Sequence, residues 1–394
     1  MKLLWQPVLL ALAASLAGCA TSRKPAVPPL TGDILVDAPR AIASGPARDR
    51  LIWQYRLAAA AMRQGKFDLA KQNLDEVLLT LGGIYGKDPD AKKARSYFRA
   101  EARKTFIGEP YERSMAYIYR GILYWMDGER DNARACFRSA EFEDSDAALQ
   151  EYAGDWVLPD YLDGLATAKL GGDGSDAFQR AQANAKGIKL PPARPEANVL
   201  FFVEFGPGPT KYATGQYQQE LRFNTPASPV ASAMLKVDAR QIPIAPTDDV
   251  GFQATTRGGR VMDHILGNKA VFKSATDAAG SVAMLGGITT AVASRDRTTQ
   301  QVGLGIALAG LATTLVSAAT VPKADTRAWD NLPRYLSFAC LPLPVGQHVA
   351  TLQFLDSAGQ VQSNLTKTIT LNIATTDRDK VVFVSDASIT PQTL

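Results

Sequence analysis

The sequence predicts an α+β protein: an N-terminal α-helical repeat domain, then a β-sandwich-like domain that carries an inserted apolar helical hairpin. Three observations predict it. Over residues 50 to about 186 the apolar side chains recur with a helical period, and small residues return at matching places in successive helix pairs. Near the C-terminus, Ile369, Leu371 and Ile373 alternate with Thr368, Thr370 and Asn372, the period of a sheet with one covered face. Between the two, residues 278–294 and 302–322 carry no charge, and each stretch approaches the roughly 20 residues that cross a bilayer.

Composition narrows the function classes. A length of 394 residues suits about two or three domains, each with its own core. Hydrophobic residues at 46% and charged residues at 21% exclude a disordered or collagen-like chain. Lys+Arg 43 against Asp+Glu 39 is too even for a nucleic-acid footprint. Only His264 and His348 and three cysteines are present, so no metal site and no other cofactor is expected.

The N-terminus carries the strongest signal. Lys2 is followed by an apolar run to Leu16, too short to span a membrane and laid out as a signal peptide over residues 1–18. The run ends in Leu16-Ala17-Gly18-Cys19. This is a lipobox: a branched apolar residue and two small ones expose the bond before Cys19 to a signal peptidase. Cys19 is the expected lipidation site, palmitate being the usual chain, and each buried acyl methylene adds about 0.8 kcal/mol of membrane affinity. Ala20 stands where Asp would favour inner-membrane retention, which points to the periplasmic face of the outer membrane. Residues 19–48 contain Pro25, Pro28, Pro29 and Pro39 and read as a flexible Pro/Ala-rich tether.

Residues 49–190 read as the helical domain. Leu57, Ala58, Ala61, Gly65, Phe67, Ala70 and Leu74 fit the tetratricopeptide (TPR) spacing, with Gly65 ending one helix and Phe67 starting the next. The spacing returns at Tyr117, Gly121, Tyr124, Gly128, Ala133, Phe137 and Ala140, and more weakly from Tyr161 through Leu165, Gly172, Ala177 and Ala181. Pro110, Glu109 and Glu112 suit a helix start. The functional alternative places Tyr111 and Arg113, with Tyr117 and Tyr124, on a concave surface that holds a partner. Glu141, Glu143, Asp144 and Asp146 read as a solvated helix end.

Residues 191–394 read as the β domain, with the helical insertion at about 258–322. Residues 198–205 form a buried strand; residues 334–343, 349–355, 367–373 and 380–385 read as further strands. The turns at Pro344-Val345-Gly346 and Asp356-Ser357-Ala358-Gly359 predict consecutive antiparallel neighbours. In the insertion, Ala279, Ala283, Gly287 and Ala291 match Gly305, Ala309, Thr313 and Ser317: small residues on one face of each helix. Two fates compete for residues 278–322, membrane insertion or glycine-zipper-like oligomerisation on one side, packing as core on the other. Asp325 and Arg327 are expected to pair where the chain enters the sheet, with Trp329 beneath. Cys136 and Cys340 are expected as buried free thiols, and His348 as a paired surface residue.

No P-loop, Rossmann fingerprint, HExxH or G-x-S-x-G occurs, and no catalytic residue is nominated. The lipobox, the segment Gly108-Glu109-Pro110-Tyr111-Glu112-Arg113, the helix carrying Asn132-Ala133-Arg134-Ala135, the run Ala324-Asp325-Thr326-Arg327-Ala328-Trp329 and Leu341-Pro342-Leu343-Pro344-Val345-Gly346 keep one order along the chain. Together they resemble an uncharacterised family of TPR-containing Gram-negative bacterial lipoproteins. The resemblance implies neighbours among other envelope lipoproteins, some resembling activators of penicillin-binding proteins, and implies no catalytic residues. The expected function is a non-enzymatic, lipid-anchored adaptor that binds a protein partner, another lipoprotein being one candidate, through its repeats. A homo-oligomeric structural membrane component is the first alternative and an envelope hydrolase the second.

Overall fold

The computed structural model describes residues 29–84, 105–144, 154–256, 323–388 and 392–393. The expected signal peptide, the expected lipidation site Cys19 and the expected apolar hairpin at 278–322 lie outside the described residues. The architecture is mixed: helices in the N-terminal part, sheets in the C-terminal part.

The first helix falls inside the expected tether. Helix α1, Ile34–Ser44, starts because the Asp33 carboxylate accepts the Leu35 N–H at 2.9 Å. Asp37 in turn accepts the N–H groups of Thr31 and Gly32 at 2.9–3.0 Å. Ala38 is fully buried, and Pro39 is carried within the helix. The reading of residues 19–48 as an unpacked tether is therefore corrected from Thr31 onward: two aspartates cap a turn that the prolines alone conceal.

Three antiparallel helix pairs follow. Helices α2 (Arg50–Arg63) and α3 (Phe67–Ile84) are joined at Gly65, whose φ of +67° suits glycine. Helices α4 (Pro110–Met126) and α5 (Arg130–Asp144) are joined at Gly128 with φ +80°. Helices α6 (Leu158–Lys169) and α7 (Ser175–Asn184) form the third pair. Small residues set the spacing: Ala133 and Ala140 are fully buried, and Phe137 lies against Gly121, where a Cβ would stand 2.6 Å from its ring.

The described strands form a five-stranded sheet, a four-stranded sheet and a two-stranded hairpin. The strands are β1 (Val199–Pro207), β2 (Thr210–Thr214), β3 (Glu220–Asn224), β4 (Ser232–Val237), β5 (Arg240–Ile244) and β6 (Asp248–Asp249). A short helix, α8 (Val250–Thr255), leads out of β6. Then come β7 (Pro333–Leu341), β8 (Gly346–Leu355), β9 (Lys367–Ile373), β10 (Lys380–Ser385) and β11 (Gln392–Thr393). Among the described strands only β1 and β10 run parallel; the five-stranded sheet has the order β11-β10-β1-β7-β6, the four-stranded sheet β5-β4-β8-β9, and β2 and β3 make a separate hairpin.

The run Val199 to Phe205 explains the layering. Leu200 and Phe202 enter a core shared with the helices, which also takes Leu336, Phe338, Val381 and Phe383. Val199, Phe201, Val203 and Phe205 enter a second core, shared with Leu235, Leu352, Phe354 and Leu371 of the four-stranded sheet. The five-stranded sheet is thus the middle layer, with helices on one face and the other sheet on the opposite face.

One strand pairing differs from expectation. β8 pairs with β4 and β9, while β7 pairs with β1 and β6, so the turn at Pro344–Gly346 carries the chain between sheets. The burial patterns give the reason. From Leu336 to Leu341 β7 is buried on both faces, whereas β8 mostly alternates buried and more exposed positions, as an outer sheet requires. Among the described residues no helix is long and apolar enough to cross a membrane.

The α4–α5 contact gives a direct test. Gly121→Val is expected to lower the unfolding free energy by about 2–3 kcal/mol in urea titration, because the Phe137 ring has to move. In a Phe137→Ala background the same substitution should cost much less; an equal cost in both backgrounds would show that the ring is not the obstacle.

Candidate functional site

Helix α4 carries the four residues nominated from the sequence, and it splits them between two sides. At 100° per residue, Tyr111, Met115 and Tyr119 face the sheet, while Tyr117, Arg120 and Tyr124 face away. Tyr111 is fully buried, its ring edge-on to Phe223 at 5.8 Å. Arg113 is buried as well, ion-paired to Glu143 at 2.5 Å and donating to the Gly108 carbonyl at 2.9 Å. A surface role for Tyr111 and Arg113 is thereby corrected: the first turn of α4 is core. Tyr117 and Tyr124 are half-buried on the outward face. The Arg120 guanidinium lies 3.5 Å over the Tyr124 ring and pairs with Asp75 of α3 at 2.6 Å.

The turn before α4 is the centre of a buried polar cluster. Glu112 is inaccessible to solvent and accepts from Glu109 N at 2.6 Å, Trp329 N at 2.7 Å and Lys211 Nζ at 2.6 Å. Lys211, on β2, also donates to the Arg327 carbonyl at 3.0 Å and lies 5.4 Å from the Phe106 ring. Burial pushes the Glu112 carboxyl up and the Lys211 ammonium down, and each opposes the other's shift. Arg327 pairs with Asp325 and reaches Asp49 at 2.6 Å. Trp329 stacks on Tyr55 with centroids 4.5 Å apart. The expected Asp325–Arg327 pair and the packed tryptophan are therefore present. A cavity of about 370 Å³ lies over this cluster, lined in part by Trp53, Arg56, Lys211, Arg327 and Asp330.

Three further carboxylates tie helices to the sheet. Glu204 interrupts the apolar β1 and accepts from Arg63 Nε at 2.6 Å and from the Tyr119 hydroxyl. Asp379 accepts from Trp125 Nε1 at 2.8 Å and from Arg130, and forms an ion pair with Lys169 Nζ at 2.7 Å. Asp248 accepts the N–H groups of Val157 and Leu158 at 2.9 and 2.8 Å, capping α6 from a strand 90 residues away in sequence. Burial raises the Asp248 carboxyl to about 7, with Asp155 and Asp160 adding to the rise. Glu141, Asp155 and Asp160 are raised too, first by burial.

The acidic run at the end of α5 is also corrected. Glu143 and Asp144 are buried, Glu143 on Arg113 and Asp144 accepting from Trp156 Nε1 at 2.8 Å. His348 pairs with Asp238 at 2.9 Å. Cys136 and Cys340 are buried and free, and burial pushes the Cys136 thiol up to about 12. Among the described residues no group of three or more His, Cys, Asp or Glu is placed to hold a metal ion.

Of the junction residues, Glu204 leaves a sequence signal, a lone carboxylate inside an apolar strand. Lys211, Asp248 and Asp379 leave none, because their partners come from distant segments. No protein-family model, curated protein or solved structure matches the chain.

Two outcomes follow from the buried charges. Lys211→Met strands the Glu112 carboxylate and is expected to cost about 3–5 kcal/mol in urea titration. The double variant with Glu112→Gln should be more stable than Lys211→Met alone. The Asp248 carboxyl holds its proton to higher pH in the folded chain than in the unfolded one, so its contribution to stability is fully present below about pH 4 and is lost progressively as pH rises through about 7. The urea midpoint should fall between pH 5 and pH 8, and Asp248→Asn should flatten that fall.

Proposed function

We propose that the chain is a lipid-anchored adaptor of the Gram-negative outer membrane, facing the periplasm and holding a protein partner without catalysing a reaction. The lipobox at Cys19 supports the anchor. The glycine-turned helix pairs support the TPR-like reading, the two sheets with a common core support the β-sandwich-like one, and both agree with the resemblance to TPR-containing lipoproteins.

The observation that carries the reading is where the buried charges go. Arg63, Tyr119, Lys169 and the N-terminus of α6 all bond to the chain's own sheet. The inner face of the helical array is thus filled by the sheet, and its ionisable groups serve the architecture. What the array leaves for a partner is its outward face. There Tyr117 and Tyr124 stand beside the Arg120–Asp75 pair, and Leu79, one turn along α3 from Asp75, is 80% exposed. Tyrosine and arginine are enriched at the energetic centres of protein interfaces.

Residues 278–322 either complete the core, drive self-association or touch the membrane. Flotation of a Cys19→Ser form with liposomes distinguishes these fates: a form that stays at the bottom of the gradient as a monomer excludes the structural membrane component.

The adaptor reading predicts that Cys19→Ser abolishes incorporation of labelled palmitate and releases the chain from membranes. It also predicts that Tyr117→Ala with Tyr124→Ala leaves the circular dichroism spectrum unchanged and abolishes recovery of the partner after cross-linking in envelopes. Identical cross-linked products from wild type and the double variant would defeat it.

A further inference from the structure

The five-stranded sheet ends on β6, only two residues long, which pairs with Tyr335 and Leu336 of β7. Beyond Leu336 the outer side of β7 meets no strand among the described residues. The Leu336 carbonyl accepts the Thr247 N–H at 2.8 Å, which sets the phase of that side. Backbone groups two residues apart on a strand point the same way, so the N–H and C=O groups of Phe338 and Cys340 face the same open side.

A cavity of about 550 Å³ opens along this edge, larger than the one over the Glu112 cluster. β7 forms one wall, β5 another and the segment carrying Lys189 and Arg194 a third. β5 is itself an outermost strand, but Pro243 has no N–H and makes it the poorer template. Ile242, Ile244 and Phe338 supply apolar surface. The charges are of one sign: Lys189, Arg194 and Arg240 line the groove and no carboxylate does. Arg240 donates to the Pro342 carbonyl at 2.9 Å and holds one end, while Lys189 and Arg194 are exposed.

We infer that this groove takes an extended acidic peptide of a partner protein, added as a strand to the free edge of β7. Main-chain bonds to Phe338 and Cys340 supply register, and alternate side chains of the guest meet the apolar wall and the three cations. The surface is separate from the outward tyrosines of α4 and stands whether or not those bind a partner.

The test uses the full chain purified from membranes in detergent and a short fluorescein-labelled peptide of alternating valine and glutamate. Fluorescence anisotropy should show saturable binding, weakened at least about tenfold when lysine replaces glutamate in the peptide. Lys189→Glu and Arg194→Glu should each weaken binding, while Tyr117→Ala with Tyr124→Ala leaves it unchanged. Of two peptides N-methylated at every second residue, one in each register, one should lose binding. Amide exchange should slow at residues 337–341 when the peptide is added. Equal binding of the glutamate and lysine peptides, full binding by both N-methylated ones, or loss of binding in the tyrosine variant would overturn the inference.

Discussion

Strand β1 is buried on both faces, and that obliges the chain to build a layer on each side of it. Val199, Phe201, Val203 and Phe205 need the four-stranded sheet, and Leu200 and Phe202 need the helices. Fully burying a side chain of this size contributes roughly 1.5–3 kcal/mol, so neither layer is dispensable. The helical array pays for this with its inner surface. In an open array of helix pairs that surface is free for a ligand; here Tyr119, Trp125 and Tyr161 contact Phe383, Phe202 and Phe338 of the sheet instead. Any partner of the helices must approach from outside.

Apolar burial holds the layers together but specifies their stagger poorly, because it is non-directional. The charged groups at the junction are directional. Arg63 of α2 meets Glu204, Glu112 of α4 meets Lys211 and the Trp329 amide, Asp248 meets the start of α6, and Lys169 at the end of α6 meets Asp379. Each links a different point of the helices to a different strand or loop. Buried pairs of this kind contribute little net stability, since desolvation offsets much of their attraction. Their effect falls on alternatives: sliding α4 by one turn would strand Glu112 beside the wrong amide and leave Lys211 buried without a counter-charge.

How much was legible in advance divides along local and non-local physics. The starts at Phe67 and Pro110, the glycine turns at Gly65 and Gly128, the close packing at Ala133 and the alternation of β9 follow from period and turn chemistry within a few residues. The buried Tyr111 and Arg113 were not legible, because the first turn of α4 is enclosed by Phe223 and Trp329 from two distant segments. Nor was the partition of β7 and β8 between two sheets, since a short turn ordinarily joins paired neighbours. Burial on both faces of β7 decided it. Helix α1 was masked by Pro39, whose presence argued against a helix that Asp33 and Asp37 nonetheless cap.

That last helix changes the geometry of the proposed anchor. With residues 19–48 as an extended tether, the body would stand far from the acylated Cys19. With α1 starting at Ile34 and packed through the fully buried Ala38, only thirteen residues lie between Cys19 and Asp33. Fully extended, they reach roughly 45–50 Å, about half the original span. An acylated Cys19 would therefore keep the N-terminus of α1 within that reach of the bilayer. Since α1 leads into α2, the helical array is the part of the body joined to that linker. An anchored chain of this design would offer a second envelope component two separate surfaces, the outward face of its helices and its sheet edge, which suits a bridge better than a single-site receptor.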